Sequence, residues 1–271
     1  MAEENTGWVV VTGSTGGIGS EIVSQLAAAG KALILLNRSR PKAEAQLSTA
    51  LSSHPELKAE LVDADLMDIE SITAATDSIN KLPGRIDVLF NNAGVLTGEK
   101  RLSAQGFESH FAVNVLAPYQ LIRNLRDKMT RPLDERPAMV VNFSSSAISQ
   151  PKSLELTSLP NPEKVGGLMT TYAQSKLAVT AMAAALAEKL QRDNILIRAI
   201  DPGPTKTGMT TGGNAGMPWF LRWIAPLLFS PADRQAAKVI EGADPMSLDG
   251  ATGIYIANMR QKKIPDSVNN V

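Results

Sequence analysis

Seven short runs rich in Val, Ile and Leu recur along the chain: 8–12 (WVVVT), 32–36, 59–66, 86–94, 138–145, 195–203 and 253–257. They are continuous rather than alternating in polarity, the pattern of strands buried on both faces. Between them, apolar residues return at helical spacing over 18–29, 41–53, 68–81, 104–129, 171–191 and 231–242. A single succession of strands alternating with helices predicts an α/β fold with one doubly wound, seven-stranded parallel sheet flanked by helices. No repeat or low-complexity linker divides the chain, so residues 1–271 read as one domain. The polar ends, 1–6 and 260–271, read as loose. Two connections exceed the usual few residues, 146–170 and 204–230, and long loops in such a sheet belong near a ligand.

Composition removes several chemistries. Lys+Arg and Asp+Glu both number 27, which gives no electrostatic reason to expect nucleic acid or an anionic membrane as partner. Cysteine is absent and only His54 and His110 offer imidazoles, so thiol chemistry is excluded and no metal site is expected. No run is long and apolar enough for an integral membrane span, no signal peptide is apparent, and the chain reads as cytoplasmic.

The candidate chemistry begins at VTGSTGGIGSEI, which follows the first apolar run and opens a helix. Gly13 suits the turn, Gly17 removes a Cβ where a pyrophosphate approaches, and Gly19 lets helix and strand pack closely. The phosphates then sit at the positive helix end. An NAD site places a carboxylate at the end of the second strand. Here Asn37 and Arg38 stand there, so NADP(H) is preferred and NAD(H) remains possible. Further on, TYAQSKLAVTAMA puts Tyr172 and Lys176 four apart, on one face of an apolar helix. A charge about 4 Å away contributes about 4 kcal/mol at an effective dielectric of 20, so Lys176 is expected to lower the Tyr172 pKa toward neutrality.

Taken in order, TGSTGGIG (12–19), Asp65 in DADL, NNAG (91–94), Asn114 in FAVNV, Ser145 in VVNFSSS, YAQSK (172–176) and DPGPTKT (201–207) resemble the short-chain dehydrogenase/reductase family from about residue 7 to 258. The resemblance implies a Rossmann fold and an oxidoreductase interconverting a carbonyl and an alcohol. It makes Tyr172 the acid/base, Lys176 its electrostatic partner, Ser145 the residue that orients the substrate carbonyl, and Asn114 the holder of a relay water. Ser145 is chosen from Ser144–Ser146 by motif alignment. For the cofactor it implies Gly13, Ser14, Thr15, Gly17, Ile18 and Gly19, then Asn37, Arg38, Asp65 and Leu66. Asn92, Ala93, Gly94, Tyr172, Lys176, Pro202, Gly203, Thr205 and Thr207 complete that set. The 27 positions from Ser145 to Tyr172 and the tail GIYIANMRQKKIP resemble the retinol-dehydrogenase branch, which implies a lipophilic carbonyl or alcohol substrate. Family members commonly form homodimers or homotetramers, and the helix from Tyr172 is a candidate contact. Residues 217–229 read as a substrate lid, with an oligomer contact or a membrane-surface helix as alternatives. The competing functional reading is a nucleotide-sensing protein that keeps the fold without turnover.

Overall fold

The computed structural model describes residues 7–162, 168–205 and 230–269. The expected lid (217–229) and Thr207 lie outside them. Strands β1 (Gly7–Thr12), β2 (Ala32–Asn37), β3 (Ala59–Asp63), β4 (Arg85–Asn91), β5 (Ala138–Phe143), β6 (Ile195–Asp201) and β7 (Ile254–Ala257) form a parallel sheet. An eighth strand, β8 (Arg260–Lys262), joins it antiparallel to β7, and the order is β3-β2-β1-β4-β5-β6-β7-β8. Thus the polar tail, expected to be loose, is docked. Its Ser267 is buried, and the carbonyl of Ser267 accepts the Leu154 N–H at 3.0 Å.

The helices are α1 (Gly17–Ala28), α2 (Arg40–Ser53), α3 (Ile69–Lys81), α4 (109–129), α5 (Leu168–Gln191) and α6 (Ala232–Gly242). In β1, Trp8 and Val10 join the apolar layer that contains residues of α3, α4 and α5, whereas Val9 and Val11 join the layer of α1 and α6. Burial on both faces is why these strands lack an alternating pattern. Gly253 lets α5 approach: a Cβ there would lie 2.8 Å from the Ala187 Cβ. Within α4, Ala112–Leu116 adopts π geometry, the Ala117 N–H reaching back to Ala112. Such turns are rare and concentrate at functional sites. Among the described residues no helix is long and apolar enough to cross a membrane.

Strands expected to reach 66, 94, 145 and 203 stop at 63, 91, 143 and 201. Their last residues turn out of the sheet because polar side chains and tight turns take over their backbone partners. Strand order reverses between β1 and β4, and a crevice beyond the carboxyl ends of those strands is the general ligand position in such sheets.

Candidate active site at the strand ends

The glycine turn is held by its neighbours. Asn92 donates from Nδ2 to the carbonyls of Thr12 at 2.8 Å and Gly13 at 3.0 Å, and Thr12 Oγ1 accepts the Ala93 N–H at 3.0 Å. Gly13 has φ +62°, and a Cβ on Gly19 would stand 2.3 Å from the Gly13 carbonyl oxygen. Helix α1 starts from Gly16 with no side-chain cap and no acidic residue in its first turn. Its first N–H groups therefore suit a phosphate, as a dinucleotide requires. Ile18 is buried beneath the turn and Thr15 is partly exposed.

At the end of β2, the structure separates Asn37 from Arg38. Arg38 is exposed, as a phosphate partner must be, but Asn37 is buried. Its Nδ2 donates to Ser14 Oγ at 2.7 Å; Ser14 donates to Gln46 Oε1 at 2.9 Å, and Gln46 returns a bond to the Ser14 carbonyl at 2.7 Å. Asn37 is thus a strut under the loop, and its Oδ1 is buried without a partner, an acceptor that fits a ribose hydroxyl. The Asp65 carboxylate accepts the Met67 N–H at 3.0 Å, with Leu66 packed partly against the core. A dinucleotide fits this set: uncapped N–H groups, a turn without room for side chains, and an orphaned acceptor.

Opposite, Lys176 is buried at 5% exposure and donates from Nζ to the Phe143 carbonyl at 2.7 Å. Its Nζ lies 5.8 Å from the centre of the Tyr172 ring. The Ser145 hydroxyl lies on the Tyr172 side, close enough to favour the ionised phenol. Ser145 is therefore the serine beside the tyrosine; Ser144 is buried against Thr180 Oγ1 at 2.7 Å, and Ser146 is exposed. Gly94 closes the space between, since a Cβ there would lie 3.3 Å from Asn114 Oδ1 and 3.5 Å from Lys176 Nζ.

Asn114 sits within the π turn. Its Oδ1 accepts the Val95 N–H at 2.9 Å, while Nδ2 donates to the Val95 carbonyl at 3.1 Å and to Ser175 Oγ at 3.0 Å. Ser175 in turn donates to the Tyr172 carbonyl at 2.7 Å. Both protons of the Asn114 side-chain amide are engaged by protein, and through Ser175 it braces the Tyr172 turn. Across from α5, Gly203 has φ +84° after Pro202, and Thr205 donates to the Gly203 carbonyl at 2.9 Å.

One electrostatic expectation is corrected. Burial, the largest influence, raises the Tyr172 pKa; the nearby Ser145 hydroxyl opposes it and the Asp201 charge adds to it. Burial also lowers Lys176 to about 8, against the pull of Asp201. The ammonium is directed at a backbone carbonyl, and desolvation dominates the phenol.

Sequence reading passed over Glu108, His110, Ser175, Asp201 and Tyr255. Glu108 and His110 are fully buried, with His110 Nδ1 donating to Glu108 Oε1 at 2.9 Å and Nε2 accepting the Thr97 N–H at 3.2 Å. The His110 ring meets Tyr172 edge-on at 6.4 Å between centroids. The available signal was ESHF, an acid that caps a helix next to an imidazole.

Several known proteins are similar to this chain. Relatives include short-chain dehydrogenase TIC 32 A, chloroplastic, of Brassica napus, 29% identical over 92% of this chain and 79% of that protein. Retinol dehydrogenase 13 of Mus musculus is 30% identical over 94% of this chain and 76% of its own length. Among solved structures, a blue fluorescent protein from a metagenomic library in complex with NADPH aligns with TM-score 0.71 and 26% identity, covering 94% of this chain and 97% of that one. The Pseudomonas aeruginosa RhlG/NADP active-site complex shares the fold, with TM-score 0.73 and 24% identity over 93% and 94% of the two chains. The family described as short chain dehydrogenase matches residues 7–217, and with the strand order and the Ser145–Tyr172–Lys176 cluster it leads to one conclusion: this chain belongs to the short-chain dehydrogenase/reductase family.

Proposed function

We propose that the protein is an NADP(H)-dependent oxidoreductase that interconverts a carbonyl and an alcohol on a lipophilic small molecule. The observation that carries this is the cluster of Tyr172, Ser145 and a buried Lys176 at the strand ends, with an uncapped helix N-terminus at the same end of the sheet. A nicotinamide dinucleotide, when bound, supplies or takes the hydride. Tyr172 exchanges a proton with the substrate oxygen through its hydroxyl, and Ser145 orients that oxygen by a hydrogen bond. Lys176 places positive charge beside the phenol where water screens poorly. Asn114 acts through the backbone, fixing the turn that bears Tyr172. Arg38, exposed at the end of β2, pairs with the 2′-phosphate, and the Asn37 Oδ1 accepts from a ribose hydroxyl. Asp65, Asn92 and the 202–205 turn line the rest of the cofactor groove.

The lipophilic substrate is supported by the resemblance to retinol dehydrogenase 13 and to a polyprenol dehydrogenase of Danio rerio, 27% identical over 96% of this chain. Pairing of two copies through the partly exposed Ala181 and exposed Ala185 of α5 belongs to the same reading, and sedimentation at micromolar concentration tests it.

The test is purified protein with NADPH and with NADH against retinoids, steroids, quinones and aliphatic aldehydes. Turnover with NADPH is expected, Tyr172→Phe abolishing it while cofactor affinity stays near normal. Near-normal kcat in Tyr172→Phe sinks the mechanism. Tight cofactor binding without turnover on any carbonyl favours the nucleotide-sensing reading instead.

A further inference from the structure

Asp201 ends β6 with its carboxylate held from several sides. Oδ1 accepts the Gly203 N–H at 2.8 Å and Oδ2 accepts the Tyr255 hydroxyl from β7 at 3.3 Å. The N–H of Ser146, next to Ser145, is turned toward it and favours its ionised form. Strand register explains the meeting. Ile200 pairs with Phe143, whose carbonyl holds Lys176, and the Ser144 N–H donates to the Ile200 carbonyl at 2.8 Å. The residue after Ile200 therefore lies under the Ser145 turn, within electrostatic reach of the ammonium. The reaction proposed above gives this carboxylate nothing to do, yet placing it in a poorly solvated site costs free energy.

We propose that Asp201 is a positioning residue of the active site: anchored between β6 and β7 beside the Ser145 turn, its carboxylate is the counter-charge to the buried Lys176 ammonium next to the Tyr172 phenol. The proposal rests on the Tyr172–Lys176 reading and deepens it. The groups facing Asp201 are Lys176 and Tyr172 from α5, Tyr255 from β7, and the N–H groups of Ser146 and Gly203. After burial, the Asp201 charge is what raises Tyr172 and Tyr255, and it also supports the protonated Lys176 against burial. A protonated phenol is the form that gives a proton to a carbonyl oxygen, so Asp201 poises the site for carbonyl reduction.

The chain has 3 tyrosines, Tyr119, Tyr172 and Tyr255, so tyrosinate absorbance can be titrated in the cofactor-free protein, with Tyr172→Phe and Tyr255→Phe assigning the steps. In Asp201→Asn, Tyr172 and Tyr255 should ionise at lower pH than in the wild type. The pH profile of alcohol oxidation should move to lower pH in the same variant. Tyr255→Phe keeps the charge and should leave the Tyr172 step in place. If Asp201→Asn does not fold, Asp201→Ser preserves the turn acceptor for the Gly203 N–H without the charge. Unchanged tyrosine titrations in the folded, charge-free variant, even with activity lost, would overturn the proposal and leave Asp201 a structural clamp. The titration needs no turnover. A wild type inactive on every substrate would count against the proposed reaction but not against this inference.

Discussion

A buried ammonium makes the stability of the cofactor-free protein depend on pH, and Lys176→Met isolates that dependence. In the native state Lys176 titrates at about 8, against 10.5 for the unfolded chain. Below about pH 8 both states carry the charge and the native state bears its full desolvation. Between there and 10.5 the unfolded chain binds more protons, so stability rises with pH. Each unit is worth about 1.4 kcal/mol, so from pH ~8 to ~9.5 this one group should add about 2 kcal/mol. Above that window the raised pKa values of Tyr172 and Tyr255 act in the opposite direction, because their native forms retain protons that the unfolded chain has lost. Absolute stability at neutral pH is a poorer readout. The variant strands the Phe143 carbonyl, at about 1–3 kcal/mol, and leaves Asp201 without its cation. Urea unfolding followed by tryptophan fluorescence should show the wild type gaining stability across the window and Lys176→Met staying flat by comparison. Parallel pH dependence in the two proteins would refute the assignment of a buried, proton-shedding Lys176.

Arg38→Ala should weaken NADPH by about 1.5–3 kcal/mol while sparing NADH, measured by fluorescence titration; equal losses would remove Arg38 from the 2′-phosphate. Gly19→Ala places a Cβ 2.3 Å from the Gly13 carbonyl, so the turn must shift and dinucleotide affinity should drop sharply with the fold retained by circular dichroism. Arg198→Met should destabilise the protein by about 3 kcal/mol or more in urea. Its buried guanidinium donates to the carbonyls of Gly242, Asp244, Ser247 and Ala251, and no carboxylate replaces them. Ordinary stability in that variant would mean that water satisfies the loop as well as arginine does.

The order of elements was legible in the sequence because burial on both faces leaves strand runs such as VVV and LILL continuously apolar, while α3 and α6 keep one apolar face. Gly13, Gly19, Tyr172 and Lys176 were legible for a related reason: close backbone approach and helical spacing are local properties, carried by residues adjacent in the chain. What lay outside the sequence depended on distant partners. Asn37 reads only as a cofactor contact in the sequence, and its role as a strut beneath Ser14 and Gln46 appears once β2 and α2 are packed. Motif alignment picked Ser145, but the physical difference from Ser144 comes from the turn after β5, which buries Ser144 against Thr180. The tail at 260–269 looked loose because β8 is polar, and only the open edge of β7 gives its backbone a partner. The direction of the Tyr172 shift was decided by tertiary structure alone. Helical spacing brings an ammonium near the phenol, but burial and a carboxylate from another strand determine whether that phenol holds its proton.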